Sequence, residues 1–161
     1  MGKSILVGMA DLNICKSPDT ITTLGLGSCV GIALRDPVTK IGGLAHIMLP
    51  DSKEITSVTH VPKFADTGIE ELVKKVTEAG AVRSRLVAKI AGGAQMFAMS
   101  TNSSTMKVGE RNVIAVKKKL KEMGIRLLAE DTGDSYGRTV VFDPETGNYT
   151  IKTVGKPEKV I

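Results

Sequence analysis

The chain is poor in rings, thiols and imidazoles. Its 161 residues hold no tryptophan, three phenylalanines and two tyrosines: Phe64, Phe97, Phe142, Tyr136 and Tyr149. So few rings offer no stacking platform for unpaired bases, so a nucleic-acid partner is not expected. The core has to be assembled from Val, Ile, Leu, Ala and Met instead. The only cysteines are Cys15 and Cys29, too few for a disulfide framework. With two histidines they show no zinc-type spacing, so neither a metal nor a cofactor is expected. No run approaches the roughly 18 apolar residues of a membrane span, which argues against membrane insertion. Ile5-Leu6-Val7 is too short for the apolar region of a signal peptide. Met1-Gly2 resembles a myristoylation start, but Leu6 stands where Ser or Thr is required. These absences predict a cytoplasmic protein with reduced thiols.

What is present is an ordinary globular composition, 42% hydrophobic and 24% charged, on a chain long enough to bury a core as one domain over residues 1–161. The net charge of +5 is local. Arg111, Lys117, Lys118, Lys119, Lys121 and Arg126 face only Glu122 within that stretch, which equals the whole excess. Such a patch can bind nucleic acid or an acidic partner; a solvated helix face explains it equally simply.

Short β-branched runs bounded by Gly, Pro, Asn and Asp predict strands near 4–9, 12–15, 20–24, 29–36 and 40–48. Phe64, Ile69, Leu72, Val73 and Val76 recur at helical spacing, predicting a helix from Lys63 to Ala79 with Pro62 at its entrance and Gly80 at its stop. A buried strand over 85–91 leads into Gly92-Gly93, and the Ser/Thr/Asn run 100–105 reads as an exposed loop. A second helix is predicted over 110–123, on Val113, Val116, Leu120 and Met123, ending at Gly124. Strands at 126–130, 138–143 and 148–154 close the chain, the last two joined by Asp143-Pro144-Glu145-Thr146-Gly147. The pattern is α+β: a largely antiparallel or mixed sheet, or two packed sheets, flanked by helices.

The densest glycine cluster is Gly25-Leu26-Gly27-Ser28-Cys29-Val30-Gly31. It fails as a dinucleotide fingerprint, because Gly31 lies one residue late, and no Lys-Ser or Lys-Thr makes it a phosphate loop. The interest lies in Cys29. Asp36-Pro37-Val38-Thr39 reads as a hairpin connection. A hairpin symmetric about the Pro37–Val38 bond sets Arg35 opposite Lys40 and Cys29 opposite His46, with their Cβ atoms about 5 Å apart on one face. A slip of one residue would put them on opposite faces. A Cys beside a His is an activated nucleophile, its thiol pKa lowered by the ion pair that forms. Gly27 and its neighbours let the backbone approach a substrate, and the N–H groups of Ser28 and Cys29 are natural oxyanion donors. The Thr23 hydroxyl, at the end of the preceding strand, is placed to orient the imidazole. The same residues also read as a buried structural thiol and a core histidine. Cys15 has no His at comparable spacing and is expected to be inert. His60, beside Pro62, fits a capping or surface role.

Thr23-Leu24-Gly25-Leu26-Gly27-Ser28-Cys29-Val30, with Ala45-His46-Ile47-Met48-Leu49-Pro50-Asp51, resembles the CheD family of chemoreceptor glutamine deamidases. The likeness continues in residues 88–97, in Gly109-Glu110-Arg111-Asn112 and in Ala129-Glu130-Asp131-Thr132-Gly133. It spans residues 5 to 153. The resemblance implies hydrolysis of receptor glutamine side chains to glutamate and ammonia, with Cys29, His46 and Thr23 as the catalytic set. It implies a fold like the cysteine hydrolase domain of the cytotoxic necrotizing factor toxins, layered β-sheets flanked by helices. It also implies, for some members, binding to CheC, a phosphatase of the phosphorylated response regulator CheY. Gly92-Gly93-Ala94 is expected to wall the substrate groove. One departure is visible: many members continue the Asp-x-Gly motif with a second Gly, where this chain has Asp134. Two functions of different class follow. One is an amidohydrolase acting on receptor helices; the other is a binding module that docks on and stimulates a CheC-type phosphatase.

Overall fold

A computed structural model of the chain describes residues 2–50, 61–95 and 108–161. The predicted loop over 100–105 and His60 lie outside the described residues. Among the described residues, ten strands form two five-stranded mixed sheets. The first sheet contains β1 (Ser4–Val7), β3 (Thr20–Leu26), β8 (Arg138–Phe142), β9 (Tyr149–Lys152) and β10 (Lys159–Val160), in that spatial order. The second runs β2 (Asp11–Lys16), β5 (Ile41–Ile47), β4 (Val30–Asp36), β6 (Val87–Gly92), β7 (Arg126–Thr132). Pairing is antiparallel except for β1 with β3 and β6 with β7. Two helices, α1 (Ala65–Glu78) and α2 (Val108–Glu122), complete the layers. No helix among the described residues is long and apolar enough to cross a membrane.

The strand sequences explain the layer order. Every residue of β5 and all but Arg35 of β4 are buried. Strands apolar on both sides belong to a sheet covered on both faces. In β8 and β9 burial alternates, the signature of a sheet with one wet face. The second sheet is therefore the middle layer. On one side Val30, Ile32, Leu34, Ala45 and Ile47 pack against Ile69, Leu72, Val73 and Val76 of α1 and Val116 and Leu120 of α2. On the other, Ala33, Leu44 and Cys29 pack against Ile21, Leu26, Val140, Phe142 and Tyr149 of the first sheet. Fully buried Leu72 is worth roughly 2–5 kcal/mol against alanine.

The α+β expectation holds, with two packed sheets and helices over one face. The basic run lies on α2 as predicted, and part of it is paired: Lys117 with Glu130 and Lys119 with Glu70, each at 2.7 Å. The hairpin between β4 and β5 also forms, but its register differs from the symmetric expectation. Asp36 pairs with Ile41, Val30 with Ile47, and Gly31, not Cys29, stands opposite His46. The connection is a four-residue loop. The Asp36 side chain accepts the Val38 N–H at 2.9 Å, and Lys40 takes a positive φ of 56° before its N–H returns to the Asp36 carbonyl at 2.8 Å. This is the longer hairpin class built around a first turn. The displacement is an even number of residues, so His46 keeps the sheet face predicted for it. That is the face looking toward the first sheet, the side on which Cys29 is also buried.

Candidate active site

The site forms where the glycine-rich end of β3 passes into β4, between the two sheets. Leu26 ends β3, and residues 27–29 bend into β4. All three carbonyls of that bend are held from outside it. Gly27 O accepts the Ala94 N–H and Cys29 O the Gly93 N–H, both at 2.8 Å. Ser28 O accepts an amide hydrogen of Asn112 at 2.9 Å. Gly92, at φ 112°, permits this approach: a Cβ there would meet Cys29 O at 2.2 Å. Among the described residues, the Ser28 and Cys29 N–H groups have no carbonyl acceptor. A bend with its carbonyls fixed and its amides free is a built donor pair for an anionic oxygen.

Opposite it, His46 and Thr23 are both fully buried. Thr23 Oγ1 lies 2.7 Å from His46 Nδ1 and donates to the Val7 carbonyl at 2.8 Å. A carbonyl only accepts, so the single hydroxyl proton goes to Val7. Nδ1 must then carry the hydrogen that fills the bond to Oγ1. This leaves Nε2 with its lone pair, and Nε2 is buried without a hydrogen-bond partner among the described residues. The network thus selects the tautomer a general base requires. Burial pushes the imidazole down from 6.5 to about 4. Burial raises the Cys29 thiol above 9.0, partly offset by its own backbone N–H. The ion pair expected from a Cys next to a His is therefore not the resting state. Burial favours the neutral form of both groups, and His46 Nε2 has no hydrogen bond to the Cys29 sulfur or to any other group among the described residues.

The family model described as CheD chemotactic sensory transduction matches residues 48–153. The chain is 60% identical over its whole length to a full-length protein of Lachnoclostridium phytofermentans named "Probable chemoreceptor glutamine deamidase CheD". Proteins of the same name from Syntrophomonas wolfei and Clostridium botulinum are 52% identical over all of both chains and 56% identical over 99% of this chain and 98% of theirs.

The chain belongs to the CheD family.

A solved structure, the hypothetical protein YfiH of Bacillus licheniformis, superposes on 76% of this chain with a TM-score of 0.48 and 14% identity; the chain spans half the length of that protein. The family match begins after His46, so Thr23, Cys29 and His46 lie outside it, whereas the full-length relatives span them.

In this CheD chain, Gly92 and Gly93, expected to wall a substrate groove, hold the bend that carries Cys29. Arg138, fully buried, locks that turn from behind, donating to Asp131 Oδ2 at 3.0 Å, Gly133 O at 3.1 Å and Gly92 O at 3.4 Å. Asp134, the departure from the family pattern, takes φ 59°, a conformation Asp tolerates better than most side chains. Its carbonyl accepts the Gln95 N–H at 2.9 Å. Cys15 is buried on β2, and burial with the nearby Asp19 and Asp143 charges pushes its thiol up to about 12. Sequence reasoning missed three contributors. Val7 acts through a carbonyl, which no side-chain pattern reveals. Tyr149 donates to Gly31 O at 2.9 Å, and a Cβ on Gly31 would meet its hydroxyl at 2.7 Å; the phenol therefore occupies the space opposite His46 that a side chain would fill. Asn112 was visible only as part of a family motif.

Proposed function

We propose that this protein deamidates glutamine side chains of chemoreceptors, using Cys29 as nucleophile, His46 as proton carrier and Thr23 as the group that orients it. The bond from His46 Nδ1 to Thr23, anchored on Val7, is the observation that carries the mechanism, because it leaves a lone pair on Nε2 in a dry site.

In this reading the thiol proton passes to Nε2 as sulfur attacks the glutamine Cδ. The carbonyl electrons move onto oxygen, and the amides of Ser28 and Cys29 hold the anion, the Cys29 amide passing from the sulfur to the oxygen as the S–C bond forms. The imidazolium returns the proton to the nitrogen as the C–N bond breaks, releasing ammonia and leaving a thioester. His46 then takes a proton from water, hydroxide adds to the thioester, and the thiol departs with that proton. Because the pair rests neutral, charge appears only as the bond forms, where fixed amides stabilise it most effectively.

The substrate is the cytoplasmic part of a methyl-accepting receptor, and a CheC-type phosphatase is a second proposed partner, from the family resemblance. The test is ammonia release, and the mass gain that marks each amide-to-acid conversion, on a receptor cytoplasmic fragment. Wild type should be active and Cys29→Ala inert. Equal activity in both would sink the cysteine mechanism. Tight CheC binding with no ammonia from any variant would favour the binding module.

A further inference from the structure

Helix α2 reaches into the site through one side chain that the mechanism above does not use. Asn112 is fully buried on the inner face of the helix. Its amide nitrogen donates both hydrogens at 2.9 Å: one to Ser28 O, beside the nucleophile, the other to Met48 O, just beyond the histidine strand. Its Oδ1 is buried without a partner among the described residues. Leaving a buried carbonyl unsatisfied costs stability. A residue chosen for packing alone would not carry that cost.

The Ser28 carbonyl shares a planar trans peptide with the Cys29 N–H, so the two point in opposite directions. Fixing the carbonyl on α2 fixes the N–H away from α2, toward the sheet face where Cys29 and His46 lie. That same N–H lowers the Cys29 thiol, so it is directed at the sulfur. The helix itself is clamped in place. A Cβ on Gly109 would meet Ala94 O at 2.4 Å and Gly93 O at 2.6 Å, so the first turn of α2 lies directly on the turn that holds Gly27 O and Cys29 O.

We propose that Asn112 is a positioning residue of the active site. It sets the Ser28–Cys29 peptide plane, and with it the amide that faces the Cys29 sulfur, and ties that bend to the segment leaving His46. Only the turnover part of its test rests on the deamidase function proposed above.

The experiment compares wild type, Asn112→Ala and Asn112→Leu. Leucine shares asparagine's branch at Cγ and removes the unpartnered oxygen, so it fills the site should alanine open a cavity. The first readout is the pH midpoint of iodoacetamide alkylation at Cys29, followed by site-resolved mass spectrometry. Freed from Asn112, the Cys29 amide supports the thiolate less well, and the midpoint should rise by about one unit. The second readout is turnover on a receptor fragment: kcat should fall about 10–100-fold with KM nearly unchanged, the signature of support lost only in the transition state. A folded variant whose Cys29 midpoint equals that of wild type overturns the proposal. So does loss of native circular dichroism in both variants, which would make Asn112 a folding residue. If wild type releases no ammonia, the deamidase function fails while the alkylation comparison still decides the role of Asn112.

Discussion

At the turn end of the β4–β5 hairpin the Asp36 carboxylate is buried and fully matched. Oδ1 accepts from Val38 N and Arg85 Nε at 2.9 Å, and Oδ2 from Val82 N and Arg85 Nη2 at 2.8 Å. At the open end of the same hairpin, Gly31 faces His46, and two buried polar atoms, His46 Nε2 and Asn112 Oδ1, have no partner among the described residues. Both ends belong to strands of the middle layer. They differ in which polar groups are left over: beside the matched carboxylate only the Thr39 hydroxyl has no partner among the described residues, whereas the open end leaves a ring nitrogen and an amide oxygen. A saturated end contributes stability and has nothing to offer a substrate. An end left short of partners costs stability and keeps a lone pair available for chemistry. In the proposed mechanism the two ends of one hairpin thus separate what holds the fold from what performs the reaction.

Five measurements break or sharpen that division. The largest effect is expected for Cys29→Ala and His46→Ala, each lowering kcat by at least about 10³-fold, with thermal unfolding close to wild type. Activity surviving in either would place the chemistry elsewhere. Thr23→Val keeps the shape and removes the hydroxyl between Nδ1 and Val7; turnover should drop about 10–100-fold. Unchanged kinetics would mean that the tautomer is set by another group. At the saturated end the outcome should invert. Asp36→Ala leaves the part-buried donors of Val38, Val82 and Arg85 unmatched and should cost roughly 3 kcal/mol in denaturant unfolding, while kcat of the folded fraction stays near wild type.

The two ends should also titrate differently. The Arg85 guanidinium holds the Asp36 carboxyl below its ordinary 3.8. On acidification the unfolded chain takes up that proton first. The Asp36 contribution is therefore complete above about pH 4 and lost as pH falls toward the folded value. For His46, burial moves the acid limb of kcat/KM from 6.5 to about 4; a limb near 6.5 would show a wetter site than this geometry. The smallest effect is assigned to Cys15→Ala, with normal turnover and about 1 kcal/mol lost to the missing sulfur. A strong activity defect there would join the two cysteines functionally.

Much of this could be read in the sequence because periodicity and turn residues report burial directly. The helix at residues 65–78 followed from Ile69, Leu72, Val73 and Val76, and the strands before residue 50 from their β-branched runs. The one error of consequence was the hairpin register. Asp36-Pro37 announces a turn, but nothing in Thr39-Lys40 announces that Lys40 enters the left-handed region and adds length to the loop. That choice is made by tertiary contacts of Asp36 with Val82 and Arg85, nearly fifty residues away. The placement of His46 survived because an even displacement conserves the face. Thr23 was legible from its position one strand earlier. Val7 was not, since its contribution is a backbone oxygen, and Asn112 was not, since its partners are carbonyls on two distant segments.

The Val7 carbonyl has a consequence for how this protein is handled. Val7 closes β1, an edge strand that among the described residues pairs in its sheet with β3 alone. The segment carries no chemical group of its own in the reaction, yet its last oxygen decides which imidazole nitrogen bears the proton. A protein trimmed past Val7, or one whose leading strand is pulled off by a bulky fusion, would retain Cys29, His46 and Thr23 in sequence. Its threonine hydroxyl would be free to turn toward the ring, and the imidazole could settle into the wrong tautomer. In the proposed mechanism, catalytic competence thus depends on an intact β1, and a silent preparation should be checked at that strand before its active-site side chains are blamed.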